Sequence, residues 1–114
     1  MIKVIVVDDE RFVRMGIVGE TDWASLGCEV VGEAENGLDA LELVHKKNPD
    51  LMICDIRMPK MNGLEMLKKL REEKNPVQVI FLTAYSEFSY AREALKLYAF
   101  DYLLKPFEDG ELES

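Results

Sequence analysis

Asp8 and Asp9 stand side by side at the end of an apolar run, in Ile5-Val6-Val7-Asp8-Asp9-Glu10. Asp55 ends a second such run, Leu51-Met52-Ile53-Cys54-Asp55. Thr83 follows a third, and Lys105 closes a fourth, Tyr102-Leu103-Leu104-Lys105, with Pro106 next. Like charges at the lip of an apolar core repel one another. Three carboxylates that converge there need compensation. A hard divalent cation supplies it, and Mg²⁺ prefers oxygen ligands while keeping several waters. Lys105 offers a second positive charge on the flank, and Thr83 a neutral hydroxyl donor. Such a set is poorly suited to holding a free phosphate, which wants backbone donors rather than acids after the first strand. It suits a carboxylate that attacks phosphorus while cations neutralise the phosphoryl oxygens. Asp55, alone after its strand and opposite the acid pair, is the best-placed nucleophile. Glu10 adds negative field at the rim.

For these residues to meet, their runs must be neighbouring strands that point the same way. Five apolar runs are candidates: Ile2 to Val7, Cys28 to Gly32, Leu51 to Cys54, Val77 to Leu82 and Phe100 to Leu104. Several are rich in Val and Ile and continuous rather than alternating, as strands buried on both faces are. Helical spacing lies between them. Leu38, Leu41 and Val44 recur at three, as do Leu64, Leu67 and Leu70, while Phe88, Ala91 and Leu95 follow at three and four. Asn62 with Glu65 has the form of a capping box, and Ser86 is a candidate cap for the fourth helix. Pro49 and Pro76 stop the helices before the third and fourth strands. The alternation of strand and helix predicts an α/β domain, a parallel sheet covered on both sides. Ligands of such sheets bind at the carboxyl ends of the strands, where strand order reverses. Every polar candidate above falls at that end.

After Lys105-Pro106-Phe107 only "EDGELES" remains, at most two helical turns where a fifth covering helix is expected. The chain therefore reads as the front part of a longer protein, with a naturally short domain as the alternative.

The 114 residues suit one domain, and a hydrophobic share of 48% is enough for a core. There are 22 acidic against 14 basic side chains, net −8. That balance argues against this chain holding nucleic acid or anionic lipid by itself, since both require clustered positive charge. No apolar run approaches the roughly 20 residues of a membrane span. The first residues run straight into a strand pattern, without the layout of a signal peptide. Cys28 and Cys54 have no metal-site spacing and read as buried free thiols of a reducing cytoplasm.

Four pieces of this sequence carry a family resemblance: "VVDDE", "DLMICDIRMPKMNG", "VIFLTAYSE" and "DYLLKPF". In order and spacing they resemble the receiver domain of two-component response regulators, from Ile2 to Phe107. Any one alone is weak; four in register at strand ends are specific. The resemblance implies a flavodoxin-like, doubly wound five-stranded sheet of order 2-1-3-4-5, here with its fifth helix truncated. It implies that Asp55 accepts a phosphoryl group from a sensor histidine kinase, in a Mg²⁺-dependent reaction. Asp8 and Asp9 would hold the metal with Asp55, and the backbone carbonyl of Arg57 would complete the protein ligands. Asp9 is the better candidate for direct contact. Thr83 would hydrogen-bond the phosphoryl group and Lys105 would pair with it. Pro106 would follow through a cis bond. Tyr102 falls at the switch-aromatic position and would turn inward as Thr83 moves. The face of the fourth helix and fifth strand would then meet a second copy or an output domain. "TDWASLGCEVVGEAENG" and "TAYSEFSYAREALKLYAFDYLLKPF" are similar to receivers joined to an AraC-type helix-turn-helix output. DNA would be reached only through that output, which lies outside this chain.

Plainer readings compete. A solvated strand end would account for Asp8 and Asp9 alone, but not for Asp55 and Lys105 at matching positions. A helix cap is a fair role for Thr83, and core packing for Tyr102. His45, the only histidine, precedes Lys46 and Lys47 near a helix end, where a cation complements the dipole. Trp23 and Met58, Met61 and Met66 are read as packing. A Mg²⁺-dependent phosphatase with an aspartyl nucleophile commonly carries a second Asp two residues on, where this chain has Arg57. A degenerate receiver that only binds would have lost one of the acids, the Thr or the Lys. A stand-alone receiver is the remaining alternative to a transcription-linked one.

Overall fold

A computed structural model describes residues 1–84 and 101–105. The elements are β1 (Ile2–Val7), α1 (Arg11–Glu20), a 3₁₀ turn (Ala24–Leu26), β2 (Cys28–Ala34), α2 (Gly37–Lys47), β3 (Leu51–Asp55), α3 (Gly63–Glu72), β4 (Gln78–Ala84) and β5 (Asp101–Lys105). The strands pair in parallel in the order β2-β1-β3-β4-β5. The chain thus leaves β1 for β2 on one side and continues from β3 to β4 on the other. The loops after β1 and β3 diverge, and a crevice opens between them at the carboxyl ends.

Pleating sorts the apolar residues of the strands onto two faces. Ile5, Val7, Met52, Cys54, Val79 and Phe81 face α2 and α3, packing on Ala40, Val44, Met66, Leu67 and Leu70. Val4, Val6, Ile53 and Leu82 form the opposite face with Ile17 of α1 and the part-buried Val13, Val18 and Trp23. Two helical layers therefore remove the same strands from water. This is why β1 and β3 are continuously apolar up to their carboxyl ends.

The strands run further than their apolar runs. β2 continues to Ala34, β3 includes Asp55, β4 spans Gln78–Ala84 and β5 Asp101–Lys105. Main-chain pairing, unlike the hydrophobic pattern, does not end where the side chains turn polar. The inward face of α2 also differs from the predicted one. Gly37, Ala40 and Val44 are buried, Leu41 packs at the margin of the core, and Leu38 is 46% exposed. Helix start decides this: α2 begins at Gly37, whose bare Cα lies against Met61. The cap expected for α3 is formed. Asn62 and Glu65 make the reciprocal capping box of α3. Asn48 ends α2 in the left-handed region at φ 48° ahead of Pro49. Cys28 and Cys54 are free and buried. Ser86, the fourth helix with Phe88, Ala91 and Leu95, Pro106 and the segment read as a truncated fifth helix lie outside the described residues. No described helix is long and apolar enough to cross a membrane.

Candidate functional site

Val7 of β1 pairs with Cys54 of β3, so the residues that follow, Asp8 and Asp55, emerge at one level. One carboxylate oxygen from each of Asp8, Asp9, Glu10 and Asp55 lies within 4.8 Å of all the others. Asp8 is fully buried and Asp55 is 5% exposed, while Asp9 and Glu10 face solvent. A buried carboxylate must be hydrogen-bonded, and both are. Asp8 Oδ1 accepts the Glu10 N–H at 2.8 Å, and Asp55 Oδ1 accepts the Ile56 N–H at 2.8 Å. Each side chain is thereby aimed by the turn that follows it.

The turns are themselves held. The Asp8 N–H donates to the Ala34 carbonyl at 3.1 Å, extending the β1–β2 ladder by one step. After Asp55 the chain passes through Arg57, Met58, Pro59, Lys60 and Met61 to α3. Gly63 N–H donates back to the Ile56 carbonyl at 2.7 Å, and Gly37 N–H donates to the Met61 carbonyl at 2.9 Å. A Cβ on Gly63 would stand 2.6 Å from the Asp55 carbonyl oxygen and 2.6 Å from the Phe81 ring. Only glycine lets α3 begin so close behind the acid. Lys60 takes the left-handed conformation at φ 67° to complete the loop. A surface depression lined by Asp9, Arg57, Met58 and Asn62 shares Asp9 with the acid cluster. Arg57 is exposed.

The sheet register places the other candidates by backbone. Asp55 pairs with Leu82, so Thr83 is one residue beyond the level of Asp55 on the adjacent strand. Thr83 pairs with Leu104 and Ala84 with Lys105, at the same carboxyl edge. Tyr102 pairs with Phe81, nearer the middle of its strand. Pro106 lies outside the described residues. Glu10 joins the acid cluster although its position in the sequence marked it only as rim; its adjacency to Asp8 and Asp9 was the available signal. Its N–H, not only its charge, is part of the site. His45 is engaged elsewhere, its Nε2 2.8 Å from Glu73 Oε1 across the ends of α2 and α3.

The four clustered donors are all carboxylate oxygens, with no nitrogen or sulfur among them. That chemistry fits a hard divalent cation such as Mg²⁺.

Comparison with known proteins identifies the family. The family described as "Response regulator receiver domain" matches residues 4–114. The chain is 41% identical over 114 residues to a protein of Bacillus subtilis (strain 168) named "Uncharacterized transcriptional regulatory protein YesN", covering 100% of this chain and 31% of that protein. It is 44% identical over 117 residues to the transcriptional regulatory protein BtsR of Salmonella typhimurium, covering 99% of this chain and 46% of that one. The chain thus spans less than half the length of these relatives. Among solved structures, the REC domain of AraT, a response regulator from Geobacillus stearothermophilus, superposes with a TM-score of 0.91 at 44% identity, covering 97% of this chain and 86% of that one.

Proposed function

This chain belongs to the family of response regulator receiver domains, and we propose that it is a phosphoacceptor switch in which Asp55 takes a phosphoryl group from a phosphohistidine of a sensor histidine kinase. The observation that carries this reading is the convergence of Asp8, Asp9, Glu10 and Asp55 at one end of a parallel sheet. Nothing in the packing of the core requires four carboxylates there, and their repulsion opposes folding.

In the proposed reaction a carboxylate oxygen of Asp55 attacks phosphorus in line. The bond from phosphorus to the imidazole nitrogen breaks, and its electron pair stays on the imidazole. The product is an aspartyl phosphate. Asp55 is suited to this because its other oxygen is fixed by the Ile56 N–H, which leaves the carboxylate pre-aimed. Asp8, Asp9, Asp55 and the Arg57 carbonyl would hold Mg²⁺, which supplies positive charge against the charge on the phosphoryl oxygens. Lys105 pairs with the phosphoryl group from the β5 edge, and the Thr83 hydroxyl donates to it. Tyr102 turns inward as Thr83 moves. This biases the face of the fourth helix and β5 toward a partner, either a second copy or an output domain.

In this reading the domain is a signal carrier rather than a turnover enzyme. Residues 1–114 form the receiver, with five strands doubly wound by helices, of a longer response regulator. The names of the relatives support regulation of transcription as the output, through a DNA-binding domain beyond this chain. Two buried free thiols support a reducing, cytoplasmic setting.

Intact-mass measurement after incubation with acetyl phosphate tests the reading. One phosphoryl group is expected with Mg²⁺ present, and none when Mg²⁺ is chelated or in Asp55→Asn. Equal labelling of Asp55→Asn would overturn the assignment.

A further inference from the structure

Arg14 lies in the first turn of α1, and its guanidinium reaches two strand ends at once. Nη1 donates to the Asp8 main-chain carbonyl at 2.7 Å. Nε donates to Glu33 Oε1 at 3.1 Å. The Arg14 side chain is 16% exposed and that of Glu33 43%. Glu33 precedes Ala34, whose carbonyl accepts the Asp8 N–H. The main-chain N–H of Asp8 is thus tied to β2, its carbonyl to Arg14 and its carboxylate to Glu10. We propose, resting on the function above, that Arg14 is a positioning residue: it holds the Asp8–Asp9 turn in its metal-binding form, with Glu33 fixing the guanidinium. The fork of Arg makes both contacts from a single planar group; Lys, a point charge on a flexible stem, cannot.

Charge and geometry here have opposite signs. A cation beside the acid cluster repels a second cation, so loss of the Arg14 charge by itself would tighten Mg²⁺ binding. Loosening the turn that carries two ligands would weaken it. Outer partners that orient metal ligands change affinity by about 10–100-fold, while a partly exposed charge beyond direct contact is screened. Geometry is therefore expected to win.

The test is calorimetric titration of the unphosphorylated chain with Mg²⁺, for wild type, Arg14→Lys, Arg14→Gln and Glu33→Gln, with melting curves of each. Arg14→Lys and Arg14→Gln are expected to bind about tenfold more weakly. Glu33→Gln, at a more exposed position that leaves the β1–β2 ladder intact, is expected to weaken binding by a smaller factor. Labelling by acetyl phosphate is expected to recover toward the wild-type rate at saturating Mg²⁺, since the defect is in affinity. A variant that merely lost stability would melt earlier and bind Mg²⁺ unchanged while folded. Unchanged or tighter binding in Arg14→Lys and Glu33→Gln overturns the role of Arg14 and leaves the Asp55 assignment standing. A wild type that binds no Mg²⁺ overturns both.

Discussion

Asp55 and the glycine behind it work as a pair. In the proposed reaction Asp55 would supply the attacking oxygen; Gly63 lets α3 start against its carbonyl and against Phe81. An added methyl has nowhere to go, because two of its three neighbours are main-chain atoms of Asp55 and Ile56. Gly63→Ala should therefore cost about 1–3 kcal/mol of stability, the range of overpacked sites. Urea denaturation measures this. A cost below about 0.5 kcal/mol would mean that the loop relaxes freely and does not set the position of Asp55. The convergence of Asp55, Asp8 and Asp9 was legible because polar residues interrupt apolar runs at equivalent ends. The close contact at Gly63 was not, because sequence marks Asn62-Gly63 as a helix start and says nothing of what lies across from it. The same holds for Arg14, whose carbonyl partner lies just past β1 and whose carboxylate partner lies in β2.

At the scale of elements, two asparagines start α2 and α3, which cover one face of the sheet, and they are not equivalent. Asn62 caps α3 in a box with Glu65 at the surface. Asn36 caps α2 from a position only 2% exposed, accepting from the Asp39 N–H at 2.9 Å and donating to Asp39 Oδ2 at 3.0 Å. Loss of a cap costs about 1 kcal/mol; loss of a buried partner adds a desolvation term. Asn62→Ala is expected to lose about 1 kcal/mol and Asn36→Ala about 2 kcal/mol in urea titration. Equal losses would show that burial of Asn36 is irrelevant. The capping box was readable in advance, since both partners are local. The apolar runs stop two residues short of the ends of β2 and β4, because main-chain pairing with a neighbour carries the strand past its apolar segment. Spacing alone turns Leu38 inward. Its exposure follows from how α2 packs, with Gly37 against Met61, and that contact joins segments distant in sequence.

Over the whole molecule, the sheet brings together acids from two strands and gives up stability to do so. Parallel order followed from the alternation of elements, and the reversal between β1 and β3 explains why the acids of those two strands share a crevice. A cation that binds only the folded form recovers stability by mass action, about 2.7 kcal/mol at a hundredfold excess over its dissociation constant. For a domain of this size each kcal/mol raises the melting temperature by about 4–8 °C. At that excess Mg²⁺ is therefore expected to raise the melting temperature of the wild type by about 10–20 °C, and to have little effect on Asp9→Asn or Asp55→Asn. In Mg²⁺-free buffer those variants should melt higher than wild type, since each removes one of four mutually repelling charges. Identical Mg²⁺ shifts in all three proteins would place the cation elsewhere.

Whether Asp55 is the phosphoryl acceptor is decided by locating the label. The chain is phosphorylated with acetyl phosphate and Mg²⁺, the acyl phosphate is reduced with borohydride, and the modified residue is found by peptide mass spectrometry. Reduction of an aspartyl phosphate leaves homoserine, which is expected at position 55 alone. Homoserine at position 8 or 9, or a label that survives at another residue in Asp55→Asn, would contradict it.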